Sequence, residues 1–559
     1  MHYRLRSAEP EAAAALGGSL GVSAAMAQVL LNRGIGDPAR ARSFLRPRLS
    51  QLSQPEAMVD RGRAADRLAK AVREREPITV FGDYDVDGVT SAAILGGIVE
   101  QLGGRVRTLV ADRFAGGYGL SDPALDRVLA EPCGVLVTTD CGSSDHERVA
   151  RASAAGIDVI VVDHHLVPEQ PLPALAFLNP HRPDCGFAYK GLCSAGLALT
   201  LGAAVRAALD SPLDLRDYLD LVALGTIGDV APLDGDNRAL VRAGLARLSS
   251  EAVRPGIAAL REMARVRAGS GLGAVDVAFK LTPRLNAPGR LGDSSISLQL
   301  LQARSVTEAR ALAARIEQLN DERKALGERV TREALEQHGQ RYGESAGPGR
   351  VLAGEGWHRG VVGISAARLA DRFGAAVAVI AVEGDSAHGS VRGGAGVNLH
   401  QALSRAAATL QRFGGHGAAA GFSLAASDVD AFRKAFEEAV AELASAPSGA
   451  EPALAEAALG PGGYPLPTAD ELWQLEPLGQ ANAEPVFFFP EAKVRRARVV
   501  GDGHLKLELE VSGQSVSGFG LGLGDRAPRN GSTIQALGAL RPDTWKGGSA
   551  LEIRLTDFA

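Results

Sequence analysis

"ITVFGDYDVDG", residues 78–88, is a short apolar run that breaks into three carboxylates at alternate positions, Asp83, Asp85 and Asp87. Ile78, Thr79, Val80 and Phe81 are β-branched or aromatic, the residues that favour a buried strand. Like charges this close repel one another. A buried strand has no structural use for them at its end, so the stretch implies a positive charge held among them.

The same pattern recurs downstream. "VLVTTD" delivers Asp140, and "VIVVDHH" delivers Asp163, His164 and His165. Together with "VRTLVA" and "ALAFL", these runs alternate with helical stretches from residue 77 to about 230, which predicts βαβ units and a mainly parallel sheet. "YLDLVALGTIGD" reads as a fourth apolar run ending at the same edge, in Asp229. In such a sheet the strand ends share one edge, and ligands bind in the crevice outside it.

A single Asp after a strand is ordinarily a cap for the next helix, and paired histidines are ordinarily structural. Four such ends converging on one crevice demand compensation, which hard divalent cations supply. Mixed carboxylate and imidazole donors suit Mn²⁺, with Mg²⁺ as a substitute. There are more donors than one octahedral ion needs. Two ions ~3.5–4 Å apart would clamp an in-line phosphoryl displacement.

At 559 residues the chain exceeds one core. Residues 1–55 read as a helical segment and 56–305 as the parallel α/β domain. A connecting helix over 306–342 carries charged and apolar residues at helical spacing. Residues 343–445 form a second, smaller α/β domain, entered through a hinge in "YGESAGPGR". After a linker in "LASAPSGAEP", residues 453–559 hold about five alternating strands, a pattern that fits an OB-type β-barrel. No apolar run approaches the ~18–20 residues of a membrane span. "MHYRLRSAEP" lacks the apolar core of a secretory signal, so the expected location is cytoplasmic. Cys133, Cys141, Cys185 and Cys193 lack zinc-knuckle spacing and read as thiols of a reducing compartment. With a net charge of −5, a polyanionic partner must be met by local basic patches.

The motifs "GDYDVDG", "TTDCG", "VVDHH" and "GTIGDVAPL" resemble those of the DHH phosphoesterase superfamily, and "GSVRGG" with "GGHGAAAGFSL" resembles its DHHA1 companion domain. "LLNRGIGDPARARSFLRPRL", "LTPRLNAPGRLG" and "LEPLGQANAEPVF" are similar to segments of the RecJ family, whose members degrade single-stranded DNA from the 5′ end. The resemblance implies a DHH domain, a DHHA1 domain and an OB barrel acting as a metal-dependent exonuclease of DNA repair and recombination. It implies Asp83, Asp85, Asp87, Asp140, His164 and Asp229 as metal ligands, with Asp140 as a bridge. Asp87, Asp140, His164, His165 and Asp229 would be catalytic. His165 would contact the scissile phosphate or assist the leaving group, and Asp163 would orient an imidazole. Single-strand binding protein and a RecQ-type helicase are implied as partners.

Single-strand binding needs phosphate donors and surfaces on which bases stack. Ser390, Arg392, Gly415 and His416 are expected phosphate contacts, with Gly414 alongside. Arg284, Asn286 and Arg290 in "PRLNAPGR" are expected at the entry for the 5′ end. Arg113, Phe114 and Tyr118 in "DRFAGGYGL" would lie near the crevice. Trp357 and His358 would either contact a nucleotide or pack. Arg495, Arg496, Arg498, Lys506 and Trp545 of the barrel would hold DNA, or the barrel would brace the other domains. The competing readings are a superfamily enzyme for short oligonucleotides or cyclic dinucleotides, an inorganic pyrophosphatase, and a catalytically inactive DNA-binding scaffold. Length and the barrel weigh against the first. The "GGHG" segment weighs against the second, and the filled ligand positions against the third.

Overall fold

The computed structural model describes residues 2–267, 269, 271–343, 347–393, 396–444, 452–543 and 546–559. Residues 344–346 of the expected hinge, 445–451 of the expected linker and Trp545 lie outside them. The chain divides into two compact units, one of Met1–Gly289, Ser294–Ala314 and Pro452–Ala559, the other of Arg290–Asp293 and Arg315–Glu451.

The first unit starts with β1 (Tyr3–Leu5) and three short helices, Pro10–Leu20, Ala24–Asn32 and Pro38–Leu45. A five-stranded parallel sheet follows: β2 (Pro77–Gly82), β3 (Arg105–Val110), β4 (Val135–Thr139), β5 (Asp158–Val162) and β6 (Ala176–Leu178), in the order β3-β2-β4-β5-β6. Gly82 pairs with Thr139, and Thr139 with Val162. The residues immediately after them, Asp83, Asp140 and Asp163, therefore leave the sheet at one level. The apolar β2, β4 and β5 side chains are buried, so this register cannot slip by one residue without turning buried side chains to the other face.

The run ending in Asp229 is not a strand. Leu219–Gly228 forms a helix whose residues from Leu219 to Ile227 are all buried, with Asp229 as its C-cap. A helix enclosed on every side is apolar all round and shows no amphipathic period, so it cannot be told from a buried strand by pattern. It packs against the helix Val86–Gln101 that follows β2, which brings Asp229 to the same edge by another route.

Val306–Tyr342 is one helix of 37 residues, about 55 Å long at 1.5 Å per residue, and it carries the chain from the first unit into the second. There, β7 (Gly349–Glu355), β8 (Ala376–Glu383), β9 (Ser386–Arg392), β10 (Arg412–His416) and β11 (Ala419–Ala425) form a sheet in the order β10-β11-β9-β8-β7. Only the β7–β8 pair is parallel. Alternation along β8 turns Ala376, Ala378 and Ile380 toward Phe432 and Phe436 of the helix Val429–Leu443. Val377 and Val379 face the helix Val362–Phe373.

The chain then returns to the first unit with β12 (Ala453–Ala455) and five barrel strands: β13 (Val486–Val500), β14 (His504–Val511), β15 (Gln514–Gly520), β16 (Thr533–Pro542) and β17 (Leu551–Phe558). They close in the order β13-β14-β15-β17-β16. β1 pairs in parallel with β12. Met26, Leu30 and Leu45 of the N-terminal helices share one hydrophobic core with Phe487, Phe489, Leu507 and Ile553 of the barrel. The first and last segments of the sequence thus make one body. Among the described residues, no single helix is long and apolar enough to cross a membrane.

Candidate active site

Asp83, Asp85 and Asp87 occupy the turn from β2 into the helix Val86–Gln101. Asp85 is the N-cap, and its Oδ1 accepts from the backbone N–H groups of Asp87 (3.0 Å) and Gly88 (3.2 Å). That is the ordinary capping role, and it leaves the other carboxylate oxygen to the crevice. Asp83 is buried and accepts from Gly119 N–H at 3.2 Å. Asp87 is also buried, and its two oxygens accept from the N–H groups of Ser194 (2.7 Å) and Ala195 (2.9 Å), at the N-terminus of the helix Ser194–Ala208. A helix N-terminus favours an anion placed this way.

Asp140 sits at the end of β4 with φ of +62°, a left-handed conformation that an Asp adopts at a cost and that marks functional turns. Its Oδ1 accepts from Ser194 Oγ at 3.2 Å. His164 Nε2 lies 3.3 Å from Asp140 Oδ1, 3.8 Å from Asp229 Oδ2 and 3.9 Å from Asp87 Oδ2. Although buried, this nitrogen has no hydrogen-bond partner among the described residues. A buried polar atom normally has one.

Asp163 faces the other way. Its Oδ1 accepts from the N–H groups of His164 (2.8 Å) and His165 (3.2 Å) and from His165 Nδ1 (2.7 Å), and its Oδ2 accepts from Ser143 N–H (3.1 Å). Burial alone would push Asp163 up, but the bonds from His165 and Ser143 outweigh it and hold the carboxylate well below its usual range. Burial pulls His165 down, yet the Asp163 bond and charge raise it to about 9. With Nδ1 on Asp163, the Nε2 edge of His165 is left for a substrate. Tyr118, half exposed above the site, donates to the backbone oxygen of Asp140 at 3.2 Å and lies 3.0 Å from His165 Nδ1.

The remaining acids behave as a group short of cations. Burial, and then repulsion from neighbouring carboxylates, raises Asp83 and Asp140 well above the usual range. Asp87 is raised too, by burial first. Asp229 is pushed up to about 8 by burial and by Asp87 and Asp85. Burial lowers His164 and keeps it a neutral donor.

Three sets of donor atoms lie within 4.8 Å of one another: Asp140, His164 and His165; Asp87, Cys193 and Asp229; and Asp83, Asp85 and Asp140. Asp140 belongs to two of them. Oxygen donors with one imidazole and an orphaned buried nitrogen fit a hard divalent cation. The Cys193 thiol is raised well above its usual range by burial and stands at the edge of this set as a neutral neighbour.

Sequence reasoning missed Ser194 and Ala195. Their N–H groups carry no residue signature, and the only signal was an apolar helix starting at "CSAG".

The expected DNA contacts are spread over both units. In the first, the Arg113 guanidinium lies 4.0 Å from the centre of the Tyr84 ring, and its Nε donates to Gly289 O at 3.1 Å. Asn286 Oδ1 accepts from Val86 N–H at 3.1 Å, pinning its segment to the carboxylate turn. Arg284 donates to Lys280 O at 2.6 Å. Phe114 is half-buried and precedes Tyr118 in the same loop.

In the second unit, Arg290 donates to Gly360 O at 3.4 Å. Arg392 donates to Ser390 Oγ at 2.7 Å. Ala419 is the register partner of both Arg392 and His416, so these two flank it across three strands. Gly415 has φ of +136°, and a Cβ there would come within 2.5 Å of Ala419 O and Ala420 Cα. Trp357 is buried with its Nε1 on Glu333 at 2.6 Å, so of its two expected roles it packs. His358 Nδ1 accepts from Gly360 N–H.

On the barrel, register aligns Arg498 with Lys506, Lys506 with Phe519, and Phe519 with Arg554. Lys506 Nζ lies 6.0 Å from the Phe519 ring centre. Arg495 is tied to Glu510, whereas Arg496 and Arg498 are exposed and enter no ion pair among the described residues. The row is a ring flanked by cations, of which Lys506 is itself paired with Glu552 at 2.9 Å.

Known proteins share this arrangement. Residues 77–226 match the family model "DHH family, N-terminal domain", 347–442 the "DHHA1 domain", and 456–557 the "RecJ OB domain". The single-stranded-DNA-specific exonuclease RecJ of Dickeya dadantii is 38% identical over 80% of this chain and 81% of its own length. The crystal structure of RecJ from Thermus thermophilus in complex with Mn²⁺ superposes with a TM-score of 0.81 at 31% identity, covering 100% of this chain and 79% of that one. The corresponding Mg²⁺ complex gives 0.74 at 29% identity, covering 100% and 78%.

Fold and site together define a phosphoesterase of the DHH type, with a DHHA1 domain and an OB barrel. Within that class the chain belongs to the RecJ family.

Proposed function

We propose that this chain is a metal-dependent exonuclease that degrades single-stranded DNA from the 5′ end to mononucleotides, in DNA repair and recombination. One observation carries the reading. Asp83, Asp85, Asp87, Asp140, Asp229 and an orphaned His164 Nε2 converge at one sheet edge, in a chain whose relatives are named as single-stranded-DNA-specific exonucleases. These six residues would hold divalent cations, Mn²⁺ or Mg²⁺, and cations bound there would supply activation of water and neutralisation of developing oxyanion charge.

The protein's own groups do the rest. The Ser194 and Ala195 N–H groups fix Asp87, and Ser194 Oγ fixes Asp140. His165, held protonated by Asp163, offers its Nε2 proton to the scissile phosphate or the leaving oxygen. Tyr118 restrains that imidazole from above.

Arg290, Ser390, Arg392 and His416 would supply donors for a 5′-terminal phosphate, which would give the reaction its polarity, and Arg284 would be a further contact to the strand. Arg113 and Asn286 brace the loops around the carboxylates. The barrel row of Arg498, Lys506, Phe519 and Arg554 has the composition of a single-strand track, with cations for the backbone and a ring for a base. In this reading the enzyme works in the cytoplasm, where single-strand binding protein and a RecQ-type helicase would present the strand. Incubation with Mn²⁺ and labelled single-stranded DNA, duplex DNA or dinucleotides tests the substrate class. Preferred cleavage of dinucleotides would favour the short-oligonucleotide reading instead.

A further inference from the structure

Cys193 occupies a position that its side chain does not serve. It is the N-cap of the helix Ser194–Ala208, a place usually taken by Ser, Thr, Asp or Asn because their oxygen accepts from the first turn. The Cys193 side chain makes no capping bond. Asp87 takes that role instead, accepting from Ser194 and Ala195 N–H. The thiol is fully buried and donates to Thr226 Oγ1 at 3.5 Å.

Among the described residues, Cys193 is the one cysteine that falls within a set of metal donors. Its Sγ and one carboxylate oxygen each of Asp87 and Asp229 all lie within 4.8 Å of one another. The fourth member is His164. Its buried Nε2, which has no hydrogen-bond partner among the described residues, lies 3.8 Å from Asp229 Oδ2 and 3.9 Å from Asp87 Oδ2. The set is one sulfur, one imidazole nitrogen and two carboxylates.

Such a set differs in kind from the oxygen-rich one around Asp83, Asp85 and Asp140. Mn²⁺ and Mg²⁺ are hard, octahedral ions served by carboxylate and water, and they have no use for a thiol. Zn²⁺ takes Cys, His and Asp together, four at a time, with bonds of ~2.0–2.3 Å. A tetrahedron of that size has edges of ~3.3–3.8 Å, and the His164–carboxylate separations already approach it. Zn²⁺ also binds a given site more tightly than Mn²⁺. With all four positions filled by protein, none is left for an attacking water, as in structural rather than catalytic zinc sites.

We infer that Asp87, His164, Cys193 and Asp229 form an arresting site for a thiophilic divalent cation, Zn²⁺ or the softer Cd²⁺, overlapping the catalytic metal position. The inference rests on the reading of the crevice as a metal-dependent nuclease centre and deepens it, adding regulation by metal identity. Cys193 Sγ bonds to the ion as its S–H proton passes to solvent. Asp87, His164 and Asp229 are thereby withdrawn from Mn²⁺, and cleavage stops.

The test compares wild type, Cys193→Ser and Cys193→Ala, each rate being normalised to that protein's own zinc-free value. Zn²⁺ is titrated into Mn²⁺-supported digestion of single-stranded DNA. Losing a residue that merely orients a ligand costs ~10–100-fold in metal affinity, so losing this direct donor should raise the half-inhibiting Zn²⁺ concentration at least ~10-fold. Co²⁺ gives a readout independent of activity, because its thiolate complexes absorb in the near ultraviolet by sulfur-to-metal charge transfer. Metal-free wild type should develop that absorption with Co²⁺ and lose it when Zn²⁺ is added, and neither variant should develop it. Thermal melts establish that the variants are folded, and the wild-type spectrum tests the site by itself. No charge-transfer absorption in wild type, its persistence in the variants, or equal Zn²⁺ sensitivity in all three proteins would overturn the site. Absence of any Mn²⁺-supported cleavage by wild type would instead overturn the underlying nuclease reading.

Discussion

Gly225 lies in the buried helix Leu219–Gly228, directly beneath the carboxylates. A Cβ placed on it would stand 2.5 Å from Thr90 Oγ1, 2.6 Å from Ala195 Cβ and 2.8 Å from Asp87 Oδ1. Ordinary contact begins at 3.4 Å, so Gly225→Ala forces these neighbours outward by about 0.6 to 0.9 Å. Two of them are the Asp87 carboxylate and the residue whose N–H holds it. Overpacking costs about 1–3 kcal/mol, and replacing a helical glycine by alanine returns about 1 kcal/mol, so the net loss of stability is about 0–2 kcal/mol. Catalysis is the more sensitive quantity, since a ~1 Å misplacement of reacting groups costs ~100-fold. Gly225→Ala should lower kcat on single-stranded DNA by roughly 10- to 100-fold and raise the Mn²⁺ concentration needed for half-maximal rate. Gly202→Ala is the control, because the atoms nearest its Cβ all belong to Ile98, the closest at 2.5 Å; it should cost similar stability and leave the metal titration unmoved. The measurements are initial rates across a Mn²⁺ titration and thermal melts of both variants. A wild-type rate and an unaltered metal midpoint in folded Gly225→Ala would refute the argument.

Three further outcomes are expected. Asp140→Ala should abolish cleavage even at saturating Mn²⁺ while single-strand affinity stays within a few-fold of wild type, as read by a binding titration. Asp229 titrates near 8 when folded, above the ordinary carboxylate value, so the metal-free native state binds the extra proton. Its contribution to stability should therefore be full below about pH 4, the unfolded value, and fall as pH rises through about 8. Melts of chelator-treated protein should show this decline between about pH 4 and about pH 8, the span between the two values, and saturating Mn²⁺ should flatten it. Replacing Arg498, Lys506 and Arg554 together by Gln should weaken binding to long strands and lower the logarithmic salt slope by about 0.7 per lost phosphate contact, while leaving cleavage of very short strands unaffected. An unchanged slope would make the barrel a brace.

The sequence carried the central sheet in plain view, because β2, β4 and β5 are short apolar runs that each end in acid. The barrel was legible for a similar reason, since strict alternation in "HLKLELEV" buries one face of β14 and leaves the other partly exposed. The element bearing Asp229 was misread, because a helix enclosed on all sides leaves no period to detect. The sharing of one core by Met26 and Phe487 is a contact between opposite ends of the chain, and no local pattern encodes it. The grip on Asp87 by the N–H groups of Ser194 and Ala195 depends on where a helix begins in space rather than on which residues begin it.

The central claim is that the carboxylate crevice hydrolyses a single strand progressively from its 5′ end. The most direct measurement follows a single-stranded oligonucleotide carrying different labels at its two ends, digested with Mn²⁺ and sampled from the first turnover onward. The 5′ label should appear at once as a mononucleotide while the 3′ label remains on progressively shorter strands, and chelation should stop both. Release of the 3′ label first, or internal cuts that separate the two labels on long fragments, would contradict the account.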